Sequence, residues 1–501
     1  MNETARRKWH FEMTRYHWFV LAVAALGWLF DCLDQQLFVL ARPAAMKELV
    51  KEVSASDQAS SLSIDQVRSR AGNWATSAFL AGWATGGLFF GMLGDRIGRA
   101  KTMLITILMY SLCTGLSAFA TGVTDFCLYR FLTGLGVGGE FAVGVALVAE
   151  VMPASARPMT LSLLQAFSAV GNITAALVNL GLGVAEEEGL VSSPWRIMFL
   201  VGALPALLAL VIRRKLKEPE RWSQVSHEGA MSKQMGSYAQ LLGDPVWRKH
   251  ALLGLVLACS GVIGLWAVGF FTPDLMRIVQ RKGEAVRYYD REILLAKGGG
   301  QEQLVEHLTA LRSYELDPKS APKELAPELK ELKATADKTI GARLSRWASY
   351  TSIMINTGAF FGMFGFGALS QTIGRKPALS LAFVAAFVTT AAVFWYLNDF
   401  WQIFVMVPIM GFCQLSLFAG YAMYFPELFP TRLRSTGTSF CYNVGRFLAA
   451  GGPLVKSWLE GMFAHTHEPL RYAGVTMSLV FLVGLFALPF LPETRGKPLP
   501  D

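Results

Sequence analysis

The sequence predicts an all-α membrane protein of twelve transmembrane helices, arranged as two related six-helix halves. Three observations predict it. Apolar residues are gathered into blocks long enough to cross a bilayer, the short loops between blocks differ in charge from one side to the other, and motifs at block ends recur in the second half. Of the 501 residues 53% are hydrophobic and only 17% charged. A soluble chain of this length would carry far more polar surface.

A helix needs about 20 mostly apolar residues to cross the hydrocarbon core, because every backbone donor and acceptor must be satisfied inside the segment. Such blocks fall at about 17–41, 73–92, 102–121, 126–150, 159–184 and 195–212, then 250–272, 347–369, 378–397, 400–425, 435–459 and 471–491. The first is too long and too acidic for a cleaved signal segment and reads as a retained span. The domains are accordingly 1–212, a linker 213–249, and 250–501, the last with a charged insertion at 277–346.

Orientation follows the basic residues of short loops. Arg6, Arg7, Lys8 and Arg15 precede span one, Arg96, Arg99 and Lys101 join spans two and three, and Arg213, Arg214, Lys215 and Lys217 follow span six. Asp125, Glu186 to Glu188, Asn398 and Asp399 lie on the other side. Both termini are therefore expected in the cytoplasm, with the protein in the plasma membrane, or the inner membrane of a bacterium. The formal charge of +9 is topological, and nucleic acid is not an expected partner.

The repeat is the more specific signal. Gly91, Asp95, Gly98 and Arg99 recur 276 positions later as Gly367, Gln371, Gly374 and Arg375. Glu150, Pro153 and Arg157 recur as Glu427, Pro430 and Arg434, and Pro219-Glu220 as Pro492-Glu493. Repeats of one orientation imply two bundles related by an axis along the membrane normal, with a site between them near the midplane. Residues 42–72 and 277–346 lie outside. Leucines at three- and four-residue spacing in 323–333 predict a short amphipathic helix there, on an appendage expected to be dispensable for transport.

These residues resemble the major facilitator superfamily over nearly the whole chain. Asp95-Arg96-x-Gly98-Arg99 is similar to its loop signature between spans two and three, and Arg130-x-x-x-Gly134-x-Gly136-x-Gly138-Gly139-Glu140 to its span-four signature. Asp31 and Asp34 resemble the paired aspartates of aromatic-acid and sialate or lactate proton symporters. The 426–437 and 442–446 motifs point to the same groups, while Pro219-Glu220 and Pro492-Glu493 resemble sugar porters. In that family, clusters such as Asp95, Arg96, Arg99, Glu150 and Arg157, with Arg375, Glu427 and Arg434, tie helix ends together while the cytoplasmic side is closed. Gln371 stands where many members carry an acid.

Charges inside spans are expensive, so each is a functional candidate. Asp31 and Asp34, three apart, share a helix face. Two carboxyls in a partly dry cavity resist joint ionisation, so one could carry a coupling proton; alternatively they pair with Arg130 or Arg446. Glu140 is the next coupling candidate, otherwise a helix contact. Arg446 with Asn443 offers a planar fork for a substrate carboxylate, or else balances an acid across the bundle interface. Arg130, Gln165, Asn172, Asn356 and Gln414 are further substrate candidates, with Trp266, Phe270 and Phe271 as walls. Gly82/Gly86 and Gly134/Gly138 have helix-packing spacing.

The expected function is proton-coupled uptake of a small organic anion by alternating access, by a monomer whose partners are substrate, protons and lipid. A sugar symporter or uniporter is the alternative within transporters, and a nutrient sensor on a transporter scaffold the alternative outside them. All six cysteines lie in or beside apolar blocks, and neither metal-site spacing nor a clustered nucleophile and base is present. No cofactor and no enzymatic activity are expected.

Overall fold

The helices begin where the sequence supplies caps and end where it supplies breakers. A computed structural model describes residues 9–50, 64–187, 190–227, 235–265, 272–317, 322, 326–449 and 468–500, with single positions between 455 and 466. The first half runs α1 (Arg15–Leu49), α2 (Ile64–Ile97), α3 (Arg99–Ser117), α4 (Val123–Val151) and α5 (Arg157–Glu187), then the short α6 (Pro194–Val201) and α7 (Ala206–Lys215). Thr14 caps α1, accepting from the His17 backbone, and the Asp125 carboxylate accepts the N–H groups of Thr121, Gly122 and Phe126 at the start of α4. The expected single span at 195–212 is instead two helices, because Pro205 has no N–H to continue the ladder.

The connection holds α8 (Glu220–His227) and α9 (Tyr238–Gly243). The second half runs α10 (Pro245–Ile263), α11 (Thr272–Gly298), α12 (Glu302–Leu316), α13 (Pro327–Ile373), α14 (Arg375–Tyr396), α15 (Met406–Leu428) and α16 (Arg434–Ala449). It closes with α17 (Pro469–Ser478) and α18 (Val480–Ala487), which share the last span. Among the described residues ten helical segments are long and apolar enough to span by themselves. The α6–α7 pair and α16 complete twelve crossings.

Within each half the tightest helix pair is made by glycine. A Cβ on Gly82, Gly86, Gly134 or Gly138 would overlap the carbonyl of Phe131, Leu135, Phe79 or Trp83, so α2 and α4 touch backbone to backbone. Gly358, Gly362 and Gly411 do the same between α13 and α15, against Pro408, Phe412 and Ile355. The two sets are repeat equivalents. Gly98 and Gly374, at φ 113° and 100°, turn the chain between α2 and α3 and between α13 and α14, a conformation that side chains rarely adopt.

Both ends of the chain lie on one face. Glu12 meets Ser155, and the Arg434 guanidinium donates to the Pro500 carbonyl at 2.9 Å. This is called the terminal face below. The insertion leaves the opposite face and is more ordered than the leucine spacing implies. Its segments of α11, α12 and α13 pack into a small bundle with its own core of Ala285, Tyr289, Leu308, Leu311, Ala336 and Ile340. Ion pairs Arg281–Asp337 (2.9 Å), Arg312–Asp290 (2.6 Å) and Lys333–Glu315 (2.9 Å) cross it.

The short helix expected at 323–333 is, from Pro327 onward, the start of a 47-residue helix that continues through span eight. No proline follows Pro327 within it, so nothing stops the ladder at the membrane surface. Residues 323–325, like Trp266, Phe270 and Phe271, lie outside the described residues. Because the bundle has a separate core, replacing 277–346 with a flexible linker is expected to leave uptake measurable. Normal surface abundance with no uptake would instead make the bundle a lid or partner site.

Candidate functional site

Charged side chains collect at two depths, the midplane and the terminal face. At the midplane of the first half, α1 presents Asp31 and Asp34 one above the other, and both are buried. Asp34 accepts from Thr114 Oγ1 at 2.7 Å and pairs with Arg130 at 3.7 Å. Arg130 also donates to Ser117 Oγ (2.6 and 3.1 Å) and Thr133 Oγ1 (3.1 Å), and its guanidinium lies 4.7 Å from the Phe199 ring centre. Asp34 is thus a partner within the first half, the ion-pair alternative raised by the sequence.

Asp31 is placed differently. Its carboxyl faces the Glu140 carboxyl, and none of their four oxygens has a hydrogen-bond donor among the described residues. The Glu140 carboxyl seats against Gly27, where a Cβ would overlap Oε1. Glycine on α1 therefore makes room for an acid on α4.

Arg446, on α16 in the second half, is buried at the seam between halves. It donates to Asn443 Oδ1 at 2.7 Å and the Tyr442 carbonyl at 3.3 Å, while Nε has no acceptor among the described residues. Its guanidinium lies 4.2 Å from the Trp83 ring centre, across the seam, and 4.5 Å from that of Tyr442. Among the described residues no carboxylate lies within 4 Å of it, so the expected pairing with Asp31 or Asp34 is not made in this conformation. Phe141 of the first half packs at a tilt against Tyr442 at 4.4 Å and Trp28 at 4.3 Å between ring centres, continuing the aromatic wall. Gln165 lies against Tyr442.

The other polar candidates sit apart from Arg446. Asn172 donates to Asn356 at 3.0 Å, bridging α5 and α13 across the seam. Gln414 spends its amide N–H groups on the Gly264 carbonyl (3.3 Å) and Thr390 (3.5 Å), inside the second half.

On the terminal face the cross-half contacts are polar. Asp95 accepts the backbone N–H groups of Ser435 (3.1 Å) and Thr436 (2.8 Å) and the Thr436 hydroxyl (2.6 Å), so it caps α16 of the other half. A carboxylate there is favoured by the helix dipole as well as by the hydrogen bonds. Arg99 pairs with Asp95 (3.0 Å) and Glu150 (2.9 Å) and donates across the seam to the Thr431 carbonyl (2.8 Å). Glu150 also takes Arg434 at 2.8 Å, again across the seam. Arg96 donates to the Met235 carbonyl of the linker at 3.3 Å.

The repeat-related set is looser. Arg375 pairs with Glu427 at 3.1 Å, but both belong to the second half. Arg157 is spent on the Ala149 carbonyl of its own half. Gln371, at the position of Asp95, makes one amide hydrogen bond to the Ser155 carbonyl at 3.0 Å. An amide cannot supply the charge that Asp95 brings to a helix end.

A profile of the family described as "Sugar (and other) transporter" matches residues 22–251 and 311–495, most of the chain. The chain belongs to that family. The niacin transporter NiaP of Acinetobacter baylyi is 27% identical over 97% of this transporter and 96% of its own length. The probable 4-methylmuconolactone transporter of Cupriavidus pinatubonensis is 28% identical over 94% and 89%. Among solved structures, the major facilitator proton:xylose symporter XylE bound to 6-bromo-6-deoxy-D-glucose superposes with a TM-score of 0.62, at 17% identity, over 97% of this chain and 98% of that one. That likeness establishes the fold.

Some working residues of the transporter were not picked out by sequence. Trp83 reads as one more apolar residue of span two, yet it faces Arg446. The Pro-Glu repeat is offset by two positions in space. Glu218, not Glu220, caps the start of α3, accepting from the Ala100 and Lys101 N–H groups (3.2 and 3.1 Å), as Glu493 caps α14 through Arg375 and Lys376 (2.9 and 3.0 Å). Burial works against the charge on Glu493, but these backbone donors hold its carboxyl below the usual carboxylate range.

Asp95→Asn removes the charge that caps α16 and pairs Arg99 while keeping the side chain's shape. Turnover is expected to fall, and thiol probes placed on the terminal face to react faster, with equilibrium ligand binding retained. Loss of binding in a folded, inserted variant would place Asp95 in the substrate site.

Proposed function

We propose that this transporter takes up small organic anions with protons, by alternating access, and that Arg446 holds the substrate carboxylate. The observation that carries this reading is the buried Arg446 guanidinium, whose hydrogen bonds among the described residues go to the neutral acceptors Asn443 Oδ1 and the Tyr442 carbonyl. A permanently charged group in the membrane interior needs a counter-charge. An anionic ligand supplies it, and Trp83 and Tyr442 favour one that is flat beside its carboxylate. Niacin and 4-methylmuconolactone, the compounds named for the two relatives, both carry a carboxyl group beside a ring.

Proton coupling is assigned to Asp31 with Glu140 rather than to Asp34. Two facing carboxyls without other donors do not both ionise in a dry site, so the pair holds a transferable proton. Asp34 already has Arg130 and Thr114. Inward proton movement releases about 2.3 kcal/mol per charge per 100 mV, enough to drive accumulation. The cross-half contacts on the terminal face, read as cytoplasmic, make this the cytoplasm-closed state of the cycle.

Ligand binding to purified protein tests the anion seat. A monocarboxylate is expected to bind well above its neutral amide. Arg446→Lys keeps the charge but loses the fork and should weaken binding by about tenfold, the scale of one charge-assisted hydrogen bond; Arg446→Ala should nearly abolish it. Equal binding of acid and amide, or no effect of Arg446→Ala, would favour a sugar as substrate.

Asp31→Asn and Glu140→Gln should each abolish uphill uptake driven by an inward proton gradient while sparing counterflow exchange. Asp34→Asn, by leaving Arg130 buried without its carboxylate, should lower the amount of folded protein as well. If the first two variants still accumulate substrate, the coupling site lies elsewhere.

A further inference from the structure

Three helices of the first half meet around the coupling acids in two registered layers. In one layer α3 offers Thr114, α1 Asp34 and α4 Arg130, and all three are joined by the contacts described above. One turn along α3 from Thr114 lies Tyr110, and three residues back along α1 from Asp34 lies Asp31. Residues four apart on one helix and three apart on the other share a face, so Tyr110 joins Asp31 in the second layer, and Glu140 reaches Asp31 from further along α4. Helix α3 comes close here because Gly136 on α4 has no side chain; a Cβ there would sit 2.8 Å from the Tyr110 Cβ.

The layers differ in how well they are satisfied. The Thr114 hydroxyl is fully engaged. Tyr110 is completely buried, and its phenol lies against the Asp31 carboxyl without forming a well-aligned hydrogen bond. The Trp28 indole N–H and the Ser111 hydroxyl are likewise buried without partners among the described residues. A buried phenol beside an acid can donate its O–H to the carboxylate when the proton leaves.

We propose that Tyr110 is a positioning residue for proton coupling, whose hydroxyl donates to ionised Asp31 and so sets the pH at which the Asp31–Glu140 pair gives up its proton. The assignment rests on the coupling reading above. The step conserves its proton: Asp31 releases H⁺ toward the path, Tyr110 keeps its own and turns it to the vacated oxygen. The phenol stays neutral throughout. The groups facing Asp31 are Glu140 on α4, Asp34 on its own helix and Tyr110 on α3, with Arg130 behind Asp34, and Cys32 beside Arg446 on the seam side.

Tyr110→Phe removes the donor and keeps the ring. Without it the carboxyl holds its proton more tightly, so the alkaline limb of proton-driven uptake is expected to move up by about one to two pH units, the scale of one hydrogen bond to a charged group. Substrate affinity, measured by binding at a pH acidic enough that the pair holds its proton in both proteins, should stay within about twofold, which a merely structural defect would not allow. Incorporating 3-fluorotyrosine at position 110 gives a stronger donor of nearly the same shape and should move the limb the other way; it also keeps the test open if Tyr110→Phe fails to fold.

An unmoved limb in either variant overturns the proposal for Tyr110. Asp31→Asn run alongside separates the two levels. If Asp31→Asn loses accumulation while the Tyr110 variants leave the profile unchanged, only the role of Tyr110 fails. If Asp31→Asn itself accumulates normally, the coupling reading fails and Tyr110 with it.

Discussion

A charge in the middle of a bilayer has no water to solvate it, so it must find an opposite charge, a set of hydrogen bonds or a proton. This transporter meets that demand differently on each side of its seam. Arg130, in the first half, has Asp34, Ser117, Thr133 and three aromatic faces. Arg446, in the second, has aromatic faces and neutral acceptors but, among the described residues, no carboxylate. Asp31 and Glu140 have each other. The Arg130–Asp34 pair ties α4 to α1 within the first half, although Arg130 Nη1 and Asp34 Oδ2 keep no hydrogen-bond partner among the described residues, and the roles proposed above fall to Arg446, Asp31 and Glu140.

Rigid halves are a precondition for that arrangement. The glycine contacts between α2 and α4, and their repeats between α13 and α15, let backbones touch and exclude slack within each half. Trp83 is carried by the backbone turn that rests on Gly138, so the same contact that tightens the first half positions an aromatic face against Arg446 of the second. Across the seam on the terminal face the chemistry changes to hydrogen bonds and ion pairs, which are directional and can be broken without leaving an apolar void. They are unevenly distributed, several at Asp95 and Glu150 and one at Gln371 among the described residues.

How much was legible beforehand depended on whether a signal was local. Span number, repeat, loop signatures and the identity of the intramembrane charges are all written in short stretches of sequence, and the structure bears out the twelve-span, two-half fold. Pairing was not legible, because it is set by which helix faces which. From sequence Asp31 and Asp34 are equivalent neighbours; only the placement of α3 and α4 gives one Thr114 and Arg130 and the other Tyr110 and Glu140. Trp83 could not be told from a lipid-facing aromatic. The capping role of Glu218 was hidden by a Pro-Glu match two residues away, since sequence alignment favours identity over register. The continuous helix through the insertion and span eight could have been anticipated from the absence of proline after Pro327.

In the proposed reading helix α1 stands between the anion seat and the proton pair. Cys32 lies within electrostatic reach of both Arg446 and Asp31, while Asp34 meets Thr114 of α3 and Asp31 faces Glu140 of α4. A substrate carboxylate at the proposed Arg446 seat would bring negative charge toward the acids of α1. Like charges in so poorly solvated a region repel more strongly than in water, a bias toward keeping a proton on the pair. In the proposed cycle no mechanical wire is needed for that first step. The anion and the proton favour one another because each would be costly alone, and the loaded transporter then faces its conformational change with the charges of the seam and of the first half compensated together.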